Sequence, residues 1–145
     1  MHGKRPHLRD ERGFTMLELL VALVILGILA TIALPAFLGQ RQKGQDTEAK
    51  AMVRNAVVAL RTYETDHETF AATRADLEGI EPAIANASPD FDVIGTADTF
   101  VIVETSDSGT EFVIGRDAAG RVTRDCSRPG EGLCRPALDG NGNRW

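Results

Sequence analysis

The sequence lacks the short patterns that mark common enzyme chemistry. It has no Gly-x-Ser-x-Gly elbow, no P-loop, no His-Glu-x-x-His zinc pair and no dinucleotide-binding glycine fingerprint. Carboxylates are plentiful, but none forms a pair that the sequence places in a cleft, so an enzyme is not expected. The two cysteines, Cys126 and Cys134, are too far apart for a Cys-x-x-Cys dithiol, which excludes a redox pair of that kind. His67 stands alone near the end of a helical pattern with no second ligand at suitable spacing, and neither a metal nor a cofactor is expected. Basic charge is also short where it would matter for nucleic acid. Residues 1–13 carry Lys4, Arg5, Arg9 and Arg12 against Asp10 and Glu11, a net of +2, and the remaining 12 basic and 19 acidic residues leave −7. Phosphate binding needs clustered Lys and Arg, so a chain of that charge is a poor general binder of nucleic acid, although one local basic patch is compatible with it.

What the sequence does have is one long apolar run. The mean hydropathy of −0.13 averages a very apolar first quarter with a polar remainder. Residues 14–38 hold a single ionisable side chain, Glu18. As a helix this run spans roughly 37 Å, enough to cross the ~30 Å hydrocarbon core of a bilayer. A carboxylate at the centre of such a segment costs about 2.5–3.5 kcal/mol and less near the interface, so an acid there needs a partner or a purpose. The basic residues precede the run, which predicts a cytoplasmic N-terminus and an outside location for everything after Leu38. A secretory signal peptide has a shorter core followed by a small-x-small site, for which Ala30, Ala33 and Ala36 are the only mimic. Neither that reading nor a plain anchor accounts for Glu18 or for Gly13-Phe14.

Gly13-Phe14-Thr15-Met16-Leu17-Glu18, followed by an unbroken apolar helix, resembles the processing site of the type IV pilin family. Leu34-Pro35-Ala36-Phe37-Leu38 and the polar residues after it look like the Pro-bearing continuation of a pilin helix. The resemblance covers about the first half of the chain, and the second half matches in layout only. It implies a leader over residues 1–13, cleavage after Gly13 by prepilin peptidase and methylation of the new Phe14 amine. Glycine suits the cut because a backbone without a side chain can enter a narrow protease site. The resemblance further implies that Glu18 of an incoming subunit pairs with the Phe14 amine of a neighbour, setting register in a filament core where an unpaired carboxylate is expensive. Snorkelling of Glu18 to the headgroups, or pairing within its own chain, are the plainer readings. Pro35 is expected to kink or loosen the helix, and the resemblance implies partial melting over residues 31–35 on assembly; a static kink is the alternative.

The rest of the chain predicts an α+β fold in which a long N-terminal helix packs on a small antiparallel sheet. The helix is expected over residues 14–67, interrupted at Gly27, Pro35, Gly39 and Gly44. Its first half, residues 14–38, is apolar all round and suits lipid first and a bundle of identical helices later. Its second half, within residues 39–70, carries a stripe of Ala49, Met52, Val53, Ala56, Leu60 and Tyr63 at three- and four-residue spacing. The head over residues 71–145 opens with a short helix at residues 73–79, begun by a Thr73-to-Asp76 capping box. A helical turn follows at residues 83–86. Strands are expected at 91–94, 99–105, 110–116 and 121–124, joined by turns too short for anything but hairpins. Phe100, Ile102, Phe112 and Ile114 should cover the helix stripe. A Cys126–Cys134 bridge would staple a tail with little core of its own, contributing ~2–3 kcal/mol. A C-terminal disulfide loop is also the layout of many pilins. Asp139-Gly140-Asn141-Gly142-Asn143 alternates oxygens as a calcium loop does, yet no distal Glu follows; a Gly-rich turn with Trp145 packed back on the sheet is the other reading.

The function so implied is a structural subunit, made as a single-pass inner-membrane precursor and polymerised into a surface filament for adhesion, motility or DNA uptake. Its partners would be further copies of itself, prepilin peptidase, an assembly platform and minor pilins. A pseudopilin of a type II secretion system and a membrane-anchored binding module that does not polymerise are the alternatives. A minor or competence pilin that binds DNA at a fibre tip is weakly disfavoured by the acidic charge.

Overall fold

The computed structural model describes residues 13–145; the leader expected over residues 1–13 lies almost wholly outside them. Two compact units divide the chain, the first ending at Phe37 and the second running Leu38–Trp145. One helix, α1 (Met16–His67), contributes to both. None of Gly27, Pro35, Gly39 and Gly44 breaks it, contrary to the expected interruptions. Helical geometry tolerates the proline because only one backbone bond is lost and the turns on either side stay intact. Upstream of it, the Thr31 hydroxyl donates to the Gly27 carbonyl at 2.9 Å.

In the first unit every side chain from Phe14 to Phe37 is exposed, including Leu17 (74%) and Ile32 (71%). The helix is long and apolar enough to cross a membrane.

In the second unit α1 buries Ala49, Val53, Ala56, Ala59 and Leu60, while Met52 and Tyr63 pack at the margin. The helix ends at His67, followed by Glu68 at φ 56°. The short helix α2 (Arg74–Ile80) begins at Thr73, whose side chain accepts from the Asp76 N–H while the Asp76 carboxylate accepts from the Thr73 N–H at 2.8 Å. A 3-10 turn spans Pro82–Asn86.

Four strands, β1 (Asp92–Gly95), β2 (Phe100–Thr105), β3 (Glu111–Arg116) and β4 (Val122–Cys126), form an antiparallel meander in chain order. The register pairs Ile102 with Ile114 and Phe112 with Cys126, so Phe100, Ile102, Phe112 and Ile114 share the face turned to α1 and are buried there. Burying each such side chain contributes about 1.5–3 kcal/mol. At the β1 edge the Phe70 N–H donates to the Thr96 carbonyl at 2.9 Å. Gly95 is required there, because a Cβ would collide with the Phe70 carbonyl. The β4 edge is covered by the last residues: the Arg144 N–H donates to the Arg124 carbonyl at 2.9 Å. The architecture is the α+β arrangement that the residue pattern implies, a long helix packed on a four-stranded antiparallel sheet.

Candidate functional site

Two regions concentrate functional chemistry, one in each unit. In the first, Thr15 precedes the helix, and its Oγ1 accepts from the Glu18 N–H at 3.2 Å. Thr-x-x-Glu is the capping-box pattern, and here its first half forms. Glu18 therefore sits in the first helical turn, where a carboxylate also complements the positive end of the helix dipole. Among the described residues no side-chain donor reaches its carboxylate. Phe14 is 84% exposed and Gly13 has open space around its Cα. Among the described residues nothing crowds Gly13, and none pairs with the Glu18 carboxylate. The role of Thr15 was not anticipated from the sequence, although the Thr15-to-Glu18 spacing carried the signal.

In the second unit a buried carboxylate ties the head to its helix. Asp46 is fully buried on α1. Its Oδ1 accepts from the Ser108 hydroxyl at 2.6 Å, in the turn between β2 and β3. Its Oδ2 accepts from the Leu133 N–H at 2.9 Å, inside the disulfide loop. Gly132 passes so close that a Cβ there would collide with Asp46 Oδ2, and its φ of +53° is itself one that glycine favours. Asp46 falls on the same stripe as Ala49, Val53 and Leu60, so helical periodicity already pointed its side chain inward; its charge kept it off the expected core.

Cys126 and Cys134 are joined, with Cα atoms 5.8 Å apart, and both are buried. Trp145 packs edge-on to Phe112, ring centroids 5.6 Å apart, and its Nε1–H donates to the Asp125 carbonyl at 2.6 Å. Three cations surround its ring: Lys50 Nζ at 5.3 Å, Arg54 at 5.6 Å and Arg124 at 6.0 Å from the centroid. Arg124 Nε is buried without a hydrogen-bond partner, and the face of the indole supplies part of what it lacks. Burial pushes the Lys50 amine below its usual value, and the neighbouring Arg54 and Arg135 push it further.

The residues 139–143 form a closed turn. Asp139 Oδ1 accepts from the N–H groups of Asn143 at 2.8 Å and Asn141 at 2.9 Å, and these bonds hold its carboxyl below the usual range. That oxygen closes the Gly-rich turn, so the loop geometry follows the turn reading. His67 stacks on Tyr63, centroids 4.0 Å apart, and its Nδ1 lies 3.0 Å from the Tyr63 carbonyl. Among the described residues no three His, Cys, Asp or Glu side chains gather as a metal site would require.

In the first unit α1 is an exposed apolar helix with an acid in its first turn, and in the second it packs on a meander sheet. Residues 8–34 match the family model described as the prokaryotic N-terminal methylation motif. Over 104 residues the chain is 27% identical to the type IV wide pilus major component PilA4 of Thermus thermophilus, covering 71% of this chain and 79% of that protein. It is 34% identical over 82 residues to the type II secretion system core protein G of Vibrio cholerae, covering 57% of this chain and 56% of the relative. Against the corresponding protein of Pseudomonas aeruginosa it is 33% identical over 72 residues, about half of each chain. The chain thus carries an N-terminal methylation motif and is similar both to a type IV pilus component and to type II secretion core proteins.

Proposed function

We propose that the chain is a structural subunit of a type IV pilus. Cleavage after Gly13 and methylation of Phe14 by prepilin peptidase leave a subunit that polymerises through α1, from the inner membrane into a surface filament. The observation that carries this reading is Glu18, an acid in the first turn of a helix whose first half is otherwise apolar and exposed. In lipid or in a filament core its carboxylate is expensive without a cation. The amine created at Phe14 is a cation one helical turn away in sequence, and pairing the two between neighbouring copies gives the acid a purpose as a register device. Pro35 would let α1 loosen as lipid is exchanged for neighbours.

A second reading has its own support: several relatives matched over about half their length are type II secretion core proteins. On that reading the same spine builds a short periplasmic pseudopilus. The disulfide loop of 126–134 and the long match to a pilus component favour the pilus.

Glu18→Ala tests the assembly role. The processed variant should insert into the membrane but yield no sheared filaments. Filaments formed in normal amount by the variant would remove Glu18 from the assembly mechanism. For the pilus against the pseudopilus, the discriminating readout is whether wild-type processed chain appears in material sheared from whole cells or only in membranes.

A further inference from the structure

The second half of α1 carries opposite charge on its two flanks. At about 100° per residue, buried Ala49, Val53, Ala56 and Leu60 set the inward stripe. Lys43, Lys50, Arg54 and Arg61 fall within about 40° of one another on one flank, and Glu48 and Asp66 fall on the other, where Arg41 is the one cation.

Each flank opens into a pocket. On the basic side Lys50, Arg54, Leu133, Arg135, Pro136 and Trp145 line a pocket of about 510 Å³. Among the described residues no carboxylate lies within ion-pair distance of Lys50 or Arg54, and Arg135 reaches only the half-exposed Asp139, at 3.8 Å. The Lys50 amine is depressed first by burial and then by the like charge of Arg54 and Arg135. On the acidic side Gln45, Glu48, Asn86, Glu104 and Asp107 line a pocket of about 300 Å³. Glu104 is buried and accepts from the Ser88 N–H at 2.9 Å, and among the described residues no ion pair neutralises Glu48, Glu104 or Asp107. Among the described residues, Lys50 and Arg54 in the one pocket and Glu48 in the other stand without an ion-pair partner.

We propose that these pockets are the two halves of one contact between copies of this chain: the basic pocket beside Trp145 receives the Glu48 and Asp107 flank of a neighbour. The contact rests on the filament reading above. Because the two patches differ, the pairing is heterologous and need not close on itself as a twofold would, which suits an extended assembly. Glu48 and the Lys50–Arg54 segment lie within about 9 Å of one another along the helix axis, so the contact joins heads side by side. Trp145 is buried against Phe112 and three cations, so its indole is not open for base stacking, which favours carboxylates over nucleic acid as the anion.

The test uses the full chain in cells. Arg54→Glu with Arg135→Glu changes two exposed side chains, and Glu48→Lys with Asp107→Lys changes two on the opposite flank. Each double variant alone should lower sheared filament yield at least about tenfold while processed chain accumulates in membranes, because like charges now face each other. The combination of all four should restore yield to within about threefold of wild type. Thermal melting of each purified variant in detergent should match wild type, which separates a broken contact from a broken fold. Normal filament yield from either double variant, or failure of the fourfold variant to recover with its fold intact, would overturn the pairing. So would intact variant filaments that lose a nucleic-acid binding shown by wild-type filaments, since the basic pocket would then serve a polyanion. Absence of wild-type filaments is a different failure, that of the filament reading itself.

Discussion

Ser108 Oγ donates to Asp46 Oδ1 at 2.6 Å, joining two residues 62 apart in sequence. The bond fixes the β2–β3 turn against α1, and the second oxygen of the same carboxylate fixes the disulfide loop through Leu133. A single buried acid thus anchors two excursions of the head to one point on the helix.

Asp46→Ala should therefore be strongly destabilising. It leaves the Leu133 N–H without its acceptor and removes the one carboxylate that the Ser108 hydroxyl serves. Charge-assisted bonds to a buried group contribute about 1.5–3 kcal/mol, so the loss should be about 2–4 kcal/mol. Thermal unfolding followed by circular dichroism in detergent measures it. Asp46→Asn, which keeps one acceptor oxygen, should lose less than Asp46→Ala.

Reduction of the Cys126–Cys134 bridge should act on the same anchor. Loop-closure entropy alone gives about 2–3 kcal/mol for this separation. Freed of the bridge, residues 127–133 also give up the bond from Leu133 to Asp46. Wild type should accordingly lose more on reduction than Asp46→Ala loses, a non-additive result that denaturant melts with and without reductant would display. Equal losses in both backgrounds would mean that loop and carboxylate act independently.

Glu104 carries a pH signature. Burial raises its carboxyl above the usual value, and the bonds from Ser88 offset only part of that. Between the ordinary and the raised value the folded chain holds the proton and the unfolded chain does not, so stability falls as pH rises through that window. The lowered carboxyls of Asp76, held by Thr73, and of Asp117, held by the Arg121 backbone, act the opposite way in more acid solution. Glu104→Gln keeps the hydrogen-bonding shape and removes the ionisation. The variant should gain on wild type as pH rises from about 4 to 8, with the other acids cancelling in the comparison. A gap that stays constant across pH would show that Glu104 ionises without penalty.

Much of this molecule is legible in its sequence because local signals agree with one another. The apolar run, the stripe from Ala49 to Leu60, the Thr73-to-Asp76 box and the alternation of Phe100 with Ile102 each name an element, and each element forms within a residue or two of its expected bounds. Expected breaks at Gly27, Pro35, Gly39 and Gly44 do not appear in α1, since isolated helix-disfavouring residues lower the stability of a long helix without ending it. What stayed hidden depends on distant parts meeting. Asp46 is buried only because the β2–β3 turn and the disulfide loop both bring donors to it. The cation cluster at Trp145 draws Lys50 and Arg54 from α1 and Arg124 from β4. No window of sequence contains both halves of either arrangement.

The most direct test of the central claim is the intact mass of this chain in material sheared from whole cells. A processed subunit of a surface filament predicts a species lacking residues 1–13, carrying one methyl group at Phe14 and two hydrogens light at Cys126 and Cys134. An uncut chain, found only in membranes, would contradict the account and leave α1 as no more than an anchor.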